Sequence, residues 1–192
     1  MSDITEKAIQ KSTDYYNSSD TDTYYRKIWG GESIHVGIFD KPGISIREAA
    51  RQAVTYLASR LDSIGSGKTV IDLGSGFGGP IRQLVTDYGC KGIALNASAL
   101  ELAAMAKYNE EKGLADKISP LEGNYEDIPM EDNQVDIAWS QEAFLHCGDR
   151  PKLMREVFRI LKPGGEFVFA DPMATPSAPM EVLQPMLDRA NL

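Results

Sequence analysis

The stretch from Thr69 to Pro80, TVIDLGSGFGGP, constrains this chain more than any other part of it. Val70, Ile71 and Leu73 form a short apolar strand, and Gly74, Gly76, Gly78 and Gly79 then crowd the positions where a helix is due to begin. Glycine lacks a Cβ, so backbone at such a turn can approach a ligand closely. The N–H groups opening the next helix have no partner within it and are free to bind polar ligand atoms. The spacing from Gly74 to Gly79 also satisfies G-x-G-x-x-G, so taken alone the turn suits a dinucleotide.

The flanking segments predict what surrounds this turn. Ile46, Ala49, Ala50, Ala53, Val54, Leu57, Ala58 and Leu61 share one face of a helix running from Ile46 to Leu61, which Gly65-Ser66-Gly67 ends. Gly79 to Tyr88 reads as a helix and Cys90 to Asn96 as a second strand. Ser98-Ala99-Leu100-Glu101 has the form of a capping box opening a helix that runs to about Glu111, where Gly113 stops it. Strands are predicted at Lys117 to Leu121, Val135 to Ser140 and Glu166 to Ala170, with a helix from Asp149 to Leu161. Strands alternating with helices predict an α/β fold, an open doubly wound parallel sheet with helices on both faces. Beyond Asp171, four prolines (Pro172, Pro176, Pro179, Pro185) predict a loop with one short helix.

Residues 1–45 are predicted to form an N-terminal helical arm or lid, and residues 46–192 the core. The arm is aromatic, with Tyr15, Tyr16, Tyr24, Tyr25 and Trp29. Ser18 or Ser19 can cap a helix from near Asp20, Gly30 and Gly31 break it, and Ser33 to Phe39 follows as an irregular extended piece. Two uses of those rings stay open: packing on the core, or closing over a ligand with the tyrosine hydroxyls still able to hydrogen-bond.

Charge and composition remove several function classes. The formal net charge is −8 without a cluster of five or more Lys and Arg, which argues against nucleic acid. No apolar run reaches the roughly 18 residues of a membrane span, and the polar start lacks a secretory core, so a cytoplasmic protein is expected. Cys90 and Cys147 lack C-x-x-C spacing and read as packing residues, and no metal is expected.

In an open parallel sheet the ligand lies beyond the carboxyl ends of the strands, where strand order reverses. That gathers Gly74 to Gly79, Asn96 to Ser98, Gly123 to Asp127 and Ser140 to His146 around one crevice. A dinucleotide calls for an acid about 20 residues after the glycines, and Asn96 stands there instead. Asp72, two positions before Gly74, is a carboxylate inside the strand, costly unless paired. It repels a pyrophosphate and suits a sulfonium ligand with an amino-acid tail.

Three further blocks follow in order: Gly123-Asn124-Tyr125-Glu126-Asp127-Ile128-Pro129, Val135-Asp136-Ile137-Ala138-Trp139, and Leu161-Lys162-Pro163-Gly164-Gly165. With the glycine turn, the region from Val70 to Ala170 resembles the Rossmann-like class I S-adenosylmethionine-dependent methyltransferases. The resemblance implies S-adenosyl-L-methionine as cofactor and S-adenosyl-L-homocysteine as product. It places Asp72, Gly74, Ser75 and Gly76 along the methionine tail, Asn96 and Ala97 at the ribose and adenine, and Asn124 with the Tyr125 backbone at the adenine edge. Asn124 stands where the family often has Asp. It also implies a further helix and two antiparallel strands after the fifth strand, for which the sequence leaves no room before Leu192.

Trp139-Ser140-Gln141-Glu142-Ala143-Phe144-Leu145-His146, with Tyr15-Tyr16-Asn17-Ser18 and the Ile28 to Gly37 block, is similar to the sarcosine and dimethylglycine N-methyltransferases of glycine betaine synthesis. Related phosphoethanolamine methyltransferases carry a comparable S-x-D-A-h-L-H block, in which a Tyr and the closing His latch over the site. Carried over by position, the latch is Tyr16, or less favourably Tyr15, with His146. Tyr25, Ile34, His35 and Gln141 become cofactor contacts, and Glu142 replaces the usual Asp. The implied acceptor is a small-molecule amine, and the chain a monomer or homodimer. Three rival readings are a phosphobase methyltransferase, a cofactor-binding fragment without catalysis, and an NAD-type oxidoreductase.

Overall fold

The computed structural model describes residues 32–189, together with Lys7 and Gln10. The first helix, α1 (Ile46–Ala58), opens on a capping box. Ser45 accepts the Glu48 N–H while the Glu48 carboxylate takes the Ser45 N–H. Its alanine-rich face buries Ala49, Ala50, Ala53, Val54, Leu57 and Ala58. The helix stops three residues short of the predicted Leu61, because the Arg60 and Leu61 N–H groups turn back to the Leu57 and Ala58 carbonyls in tighter three-residue loops.

The elements β1 (Thr69–Leu73), α2 (Gly79–Tyr88), β2 (Lys91–Asn96), α3 (Ala99–Glu111), β3 (Ile118–Glu122), β4 (Val135–Gln141), α4 (Arg150–Ile160), β5 (Leu161–Ala170) and α5 (Met180–Arg189) follow. Every strand pair is parallel and the sheet order is β3-β2-β1-β4-β5, so order reverses between β1 and β4. The alternation within β1 explains the two-sided core. Val70 joins Val54, Ile81, Leu84, Met105 and Trp139 on the face covered by α1, α2 and α3. Ile71 and Leu73 join Leu95, Phe144, Leu153, Val157 and Ile160 on the face covered by α4. Asp72 shares the Val70 face and therefore looks toward α2.

Two further expectations need correction. The Leu161-Lys162-Pro163-Gly164-Gly165 block was expected to end a helix, yet it opens β5: Val135 pairs with Leu161, and Ile137 next pairs with Glu166. The surplus residues loop around Asp136, with Gly164 at φ 77° and the Lys162 ammonium donating to Asp136 Oδ2 at 2.8 Å. The capping box at Ser98 is half formed. Ser98 Oγ accepts the Glu101 N–H at 3.2 Å, but the Ser98 N–H goes to Asn96 Oδ1, and Glu101 Oε2 accepts from Asn96 Nδ2.

Candidate active site

β1 delivers the chain to the reversal point, and the glycines then bend it sharply. Gly74, Gly76 and Gly78 sit at φ 83°, 50° and 76°, a region unfavourable to other residues. The Gly74 and Ser75 N–H groups both donate to Leu95 O at 3.0 Å, pinning the turn to β2. A Cβ on Gly74 would run into Ala143, the residue before a 3₁₀ turn at Phe144–His146. The glycine turn and the loop that follows β4 thus pack this closely because position 74 has no side chain. Gly74→Ala is expected to cost at least about 1–2 kcal/mol of stability from backbone strain alone and to abolish cofactor binding, as measured by thermal melting and by calorimetry with S-adenosylhomocysteine.

The extended segment at residues 32–37 crosses the crevice. A Cβ on Gly79 would collide with Glu32 and Ser33, and one on Gly76 would lie 3.1 Å from Ile34 Cδ1. At the far end the Val36 N–H donates to Glu142 Oε1 at 2.9 Å. Ile34 therefore lies against the glycine turn. His35 is buried, its Nδ1 lies 3.1 Å from Val36 O, and burial lowers its pKa, so its imidazole is neutral. Tyr16 and Tyr25 lie outside the described residues, as does the rest of the aromatic cluster up to Trp29.

Three acceptor atoms at this edge are buried without a protein hydrogen bond: Asp72 Oδ2, Ser75 Oγ and Gln141 Oε1. Burial lifts the Asp72 carboxyl to about 7, against the pull of the Arg82 charge. A buried carboxylate, hydroxyl and amide without partners are costly in an isolated fold and fit a ligand rich in donors. Such an acceptor set matches an ammonium tail and opposes a pyrophosphate.

Asn96 sits at the tip of β2 as expected, but its side chain is already engaged. Nδ2 donates to Glu101 Oε2 at 2.9 Å and lies 3.4 Å from Gly76 O, while Oδ1 takes the Ser98 N–H at 3.0 Å. It braces the glycine turn against Glu101, a nearly buried acid that the capping-box reading had assigned to helix capping alone. Ala97 is exposed beside it. Asn124 Oδ1 accepts the Glu126 N–H at 2.9 Å and folds the loop after β3 into an Asx turn. The Tyr125 hydroxyl donates to Ala143 O at 3.2 Å, and its ring meets Phe144 edge-on at 5.5 Å. His146 is half-buried at the end of the 3₁₀ turn.

Several further residues of the site escaped sequence reasoning. Arg82, buried in α2, donates to Glu32 Oε2 and Asn109 Oδ1, both at 3.2 Å. It thereby ties the crossing segment to the helix behind the glycine turn. Asp171, likewise unforeseen, accepts the Phe144 N–H, and Glu142, marked in the sequence only as replacing the usual Asp, holds the crossing segment from the β4 side. Among the described residues no cluster of three or more His, Cys, Asp or Glu could hold a metal ion, and no helix is long and apolar enough to cross a membrane.

A family model described as a methyltransferase domain matches residues 71–169. That span runs from the middle of β1 to the end of β5. The chain belongs to the methyltransferase-domain family. The methyltransferase is 41% identical over 187 residues to a sarcosine/dimethylglycine N-methyltransferase of Halorhodospira halochloris, covering 97% of this chain and 67% of that protein. It is 42% identical over 190 residues to a glycine/sarcosine/dimethylglycine N-methyltransferase of Actinopolyspora halophila, covering 99% of this chain and 34% of the relative. The crystal structure of a sarcosine dimethylglycine methyltransferase from Galdieria sulphuraria, described as putative, superposes with a TM-score of 0.83 at 39% identity, over 91% of this chain and 68% of that one. The methyltransferase thus spans about two thirds, or less, of the length of these relatives.

Proposed function

We propose that this chain carries out S-adenosyl-L-methionine-dependent N-methylation of a small amino acid, converting sarcosine and dimethylglycine toward glycine betaine. The observation that carries the reading is the trio of unpartnered buried acceptors, Asp72 Oδ2, Ser75 Oγ and Gln141 Oε1, beside a turn of bare backbone. The identity to sarcosine and dimethylglycine N-methyltransferases over nearly the whole chain supports the acceptor class.

When bound, the cofactor supplies an electrophilic sulfonium methyl group for direct transfer to an amine. Asp72 receives the ammonium of the methionine tail, and Gly74, Ser75 and Gly76 let that tail lie against the backbone. Asn96 and Ala97 stand at the ribose and adenine, with Asn124 and Tyr125 at the adenine edge. Ile34 and His35 cover the glycine turn, Tyr25 and Gln141 complete the cofactor contacts, and Tyr16 closes against His146. Methyl transfer to nitrogen needs an amine already free of its proton, so Tyr16 and His146 align and enclose rather than act as general base. The aromatic arm supplies ring faces that tolerate the quaternary ammonium product.

Incubation with radiolabelled methyl donor and, separately, glycine, sarcosine, dimethylglycine and phosphoethanolamine tests the acceptor. Label on sarcosine and dimethylglycine is expected. Label on phosphoethanolamine alone overturns the amino-acid reading, and tight binding of NAD with none of S-adenosylhomocysteine overturns the cofactor as well.

A further inference from the structure

Strand β5 ends one residue before a carboxylate that reaches across to the turn following β4. Asp171 is half-buried, and its Oδ2 accepts the Phe144 N–H at 2.8 Å. That amide opens the 3₁₀ turn Phe144–His146, and the residue before it, Ala143, offers no side-chain cap. Asp171 therefore does from a neighbouring strand what a Ser or Asp cap does within a helix.

β5 holds the same stretch a second time. The Ala170 carbonyl accepts the Glu142 N–H at 2.7 Å, and Glu142 itself sits at φ 53°, a sparsely populated conformation for a residue with a side chain. Backbone of this kind persists where its surroundings over-determine it, and such places cluster at functional sites. The arrangement also has a cost. Burial raises the Asp171 pKa, the Phe144 amide and the Arg150 charge only partly offset that, and the Asp171 charge adds to the rise at Glu142.

We propose that Asp171 is a positioning residue for methyl transfer, fixing the turn that sets His146 over the acceptor. This inference rests on the reading of His146 as the closing group. In this role Asp171 acts through the turn, by way of the Phe144 amide. The Asp171 carboxylate holds the Phe144 amide, so alanine frees the turn, whereas asparagine keeps a weaker, uncharged acceptor and holds it in part.

The test compares Asp171→Ala, Asp171→Asn, His146→Ala and the Asp171→Ala/His146→Ala double variant in the full chain. Asp171→Ala is expected to lower kcat about 30-fold, in keeping with the cost of a small misplacement, with the Kd for S-adenosylhomocysteine changed by less than about twofold. Asp171→Asn falls between it and the unaltered protein. The double variant is no slower than His146→Ala, since the two residues act through one turn. A readout without turnover accompanies these: the His146 ring-proton resonances shift on adding S-adenosylhomocysteine and dimethylglycine in the unaltered protein but not in Asp171→Ala.

Multiplicative losses in the double variant, equal damage from alanine and asparagine, or parallel loss of kcat and S-adenosylhomocysteine binding would each overturn the inference. If His146→Ala slows transfer and Asp171→Ala does not, the inference alone fails. If His146→Ala leaves kcat unchanged, the reading of His146 fails and the inference with it.

Discussion

Replacing Asp72 with asparagine is expected to weaken S-adenosylhomocysteine binding about 100-fold at pH 8 while making the ligand-free protein more stable. The two effects have one origin. Asp72 lies in the central strand with one oxygen unpartnered, and burial lifts its pKa to about 7 in the folded protein against 3.8 in the open chain. A carboxyl raised in this way binds its proton more tightly when folded, so its effect on stability runs opposite to that of an ordinary paired acid. Ligand-free stability gains as pH falls from about 7 toward 4 and loses as pH rises through the same window. A rise of about three units corresponds to about 4 kcal/mol at most, since each unit is worth 1.36 kcal/mol. Asparagine removes the charge but leaves a buried amide, so a gain on the order of 2 kcal/mol at pH 8, several degrees in melting temperature, is expected.

The ligand reverses the sign. An ammonium facing the ionised carboxylate forms a charge-assisted bond, which one such contact at roughly 1.5–3 kcal/mol converts to about 100-fold in Kd. Calorimetric titration from pH 5.5 to 8.5 is expected to show affinity rising with pH to a plateau above 7 in the unaltered protein and little pH dependence in Asp72→Asn. Equal affinity in the two proteins at pH 8 would remove Asp72 from the cofactor site.

The second large effect is expected at His146. His146→Ala should lower kcat about 100-fold, the scale of lost alignment at a reacting centre, while S-adenosylhomocysteine affinity stays within about twofold. Packing gives the reason for the separation. The 3₁₀ turn is anchored in the core by Phe144, 4% exposed and in contact with Tyr125, Phe167 and Phe169, whereas His146 remains half-buried at its end. Losing the imidazole leaves that anchor intact. Kinetics with labelled donor, set beside melting curves, decide it: matched losses of turnover and stability would make His146 a structural residue.

Legibility in the sequence followed the range of the interactions. The strand, glycine turn and α2 lie within twenty residues, and α2 begins and ends where Gly79 and Tyr88 were expected to bound it. Asp72 was visible because a charge in a run of apolar strand residues stands out. The start of β5 was not, because a proline and two glycines read as a break, whereas a bulge around Asp136 lets the strand continue past them. The clasp around the crevice was hidden for a different reason. Val36 with Glu142, Glu32 with Arg82, and Phe144 with Asp171 join residues far apart in sequence, and no local periodicity marks such pairs. Glu101 was seen and given the wrong partner, because the S-x-x-E spacing that signals a capping box also places its carboxylate within reach of Asn96.

The segment at residues 32–37 also bears on the order in which the molecule is assembled during synthesis. It leaves the ribosome before every strand of the sheet, yet its anchors lie at Gly79, Arg82, Lys112 and Glu142. Closing those long loops is unfavourable until the distant partners exist. This early-made segment therefore completes its contacts only after β4 has emerged, so the pocket is closed by chain older than the strands it rests on.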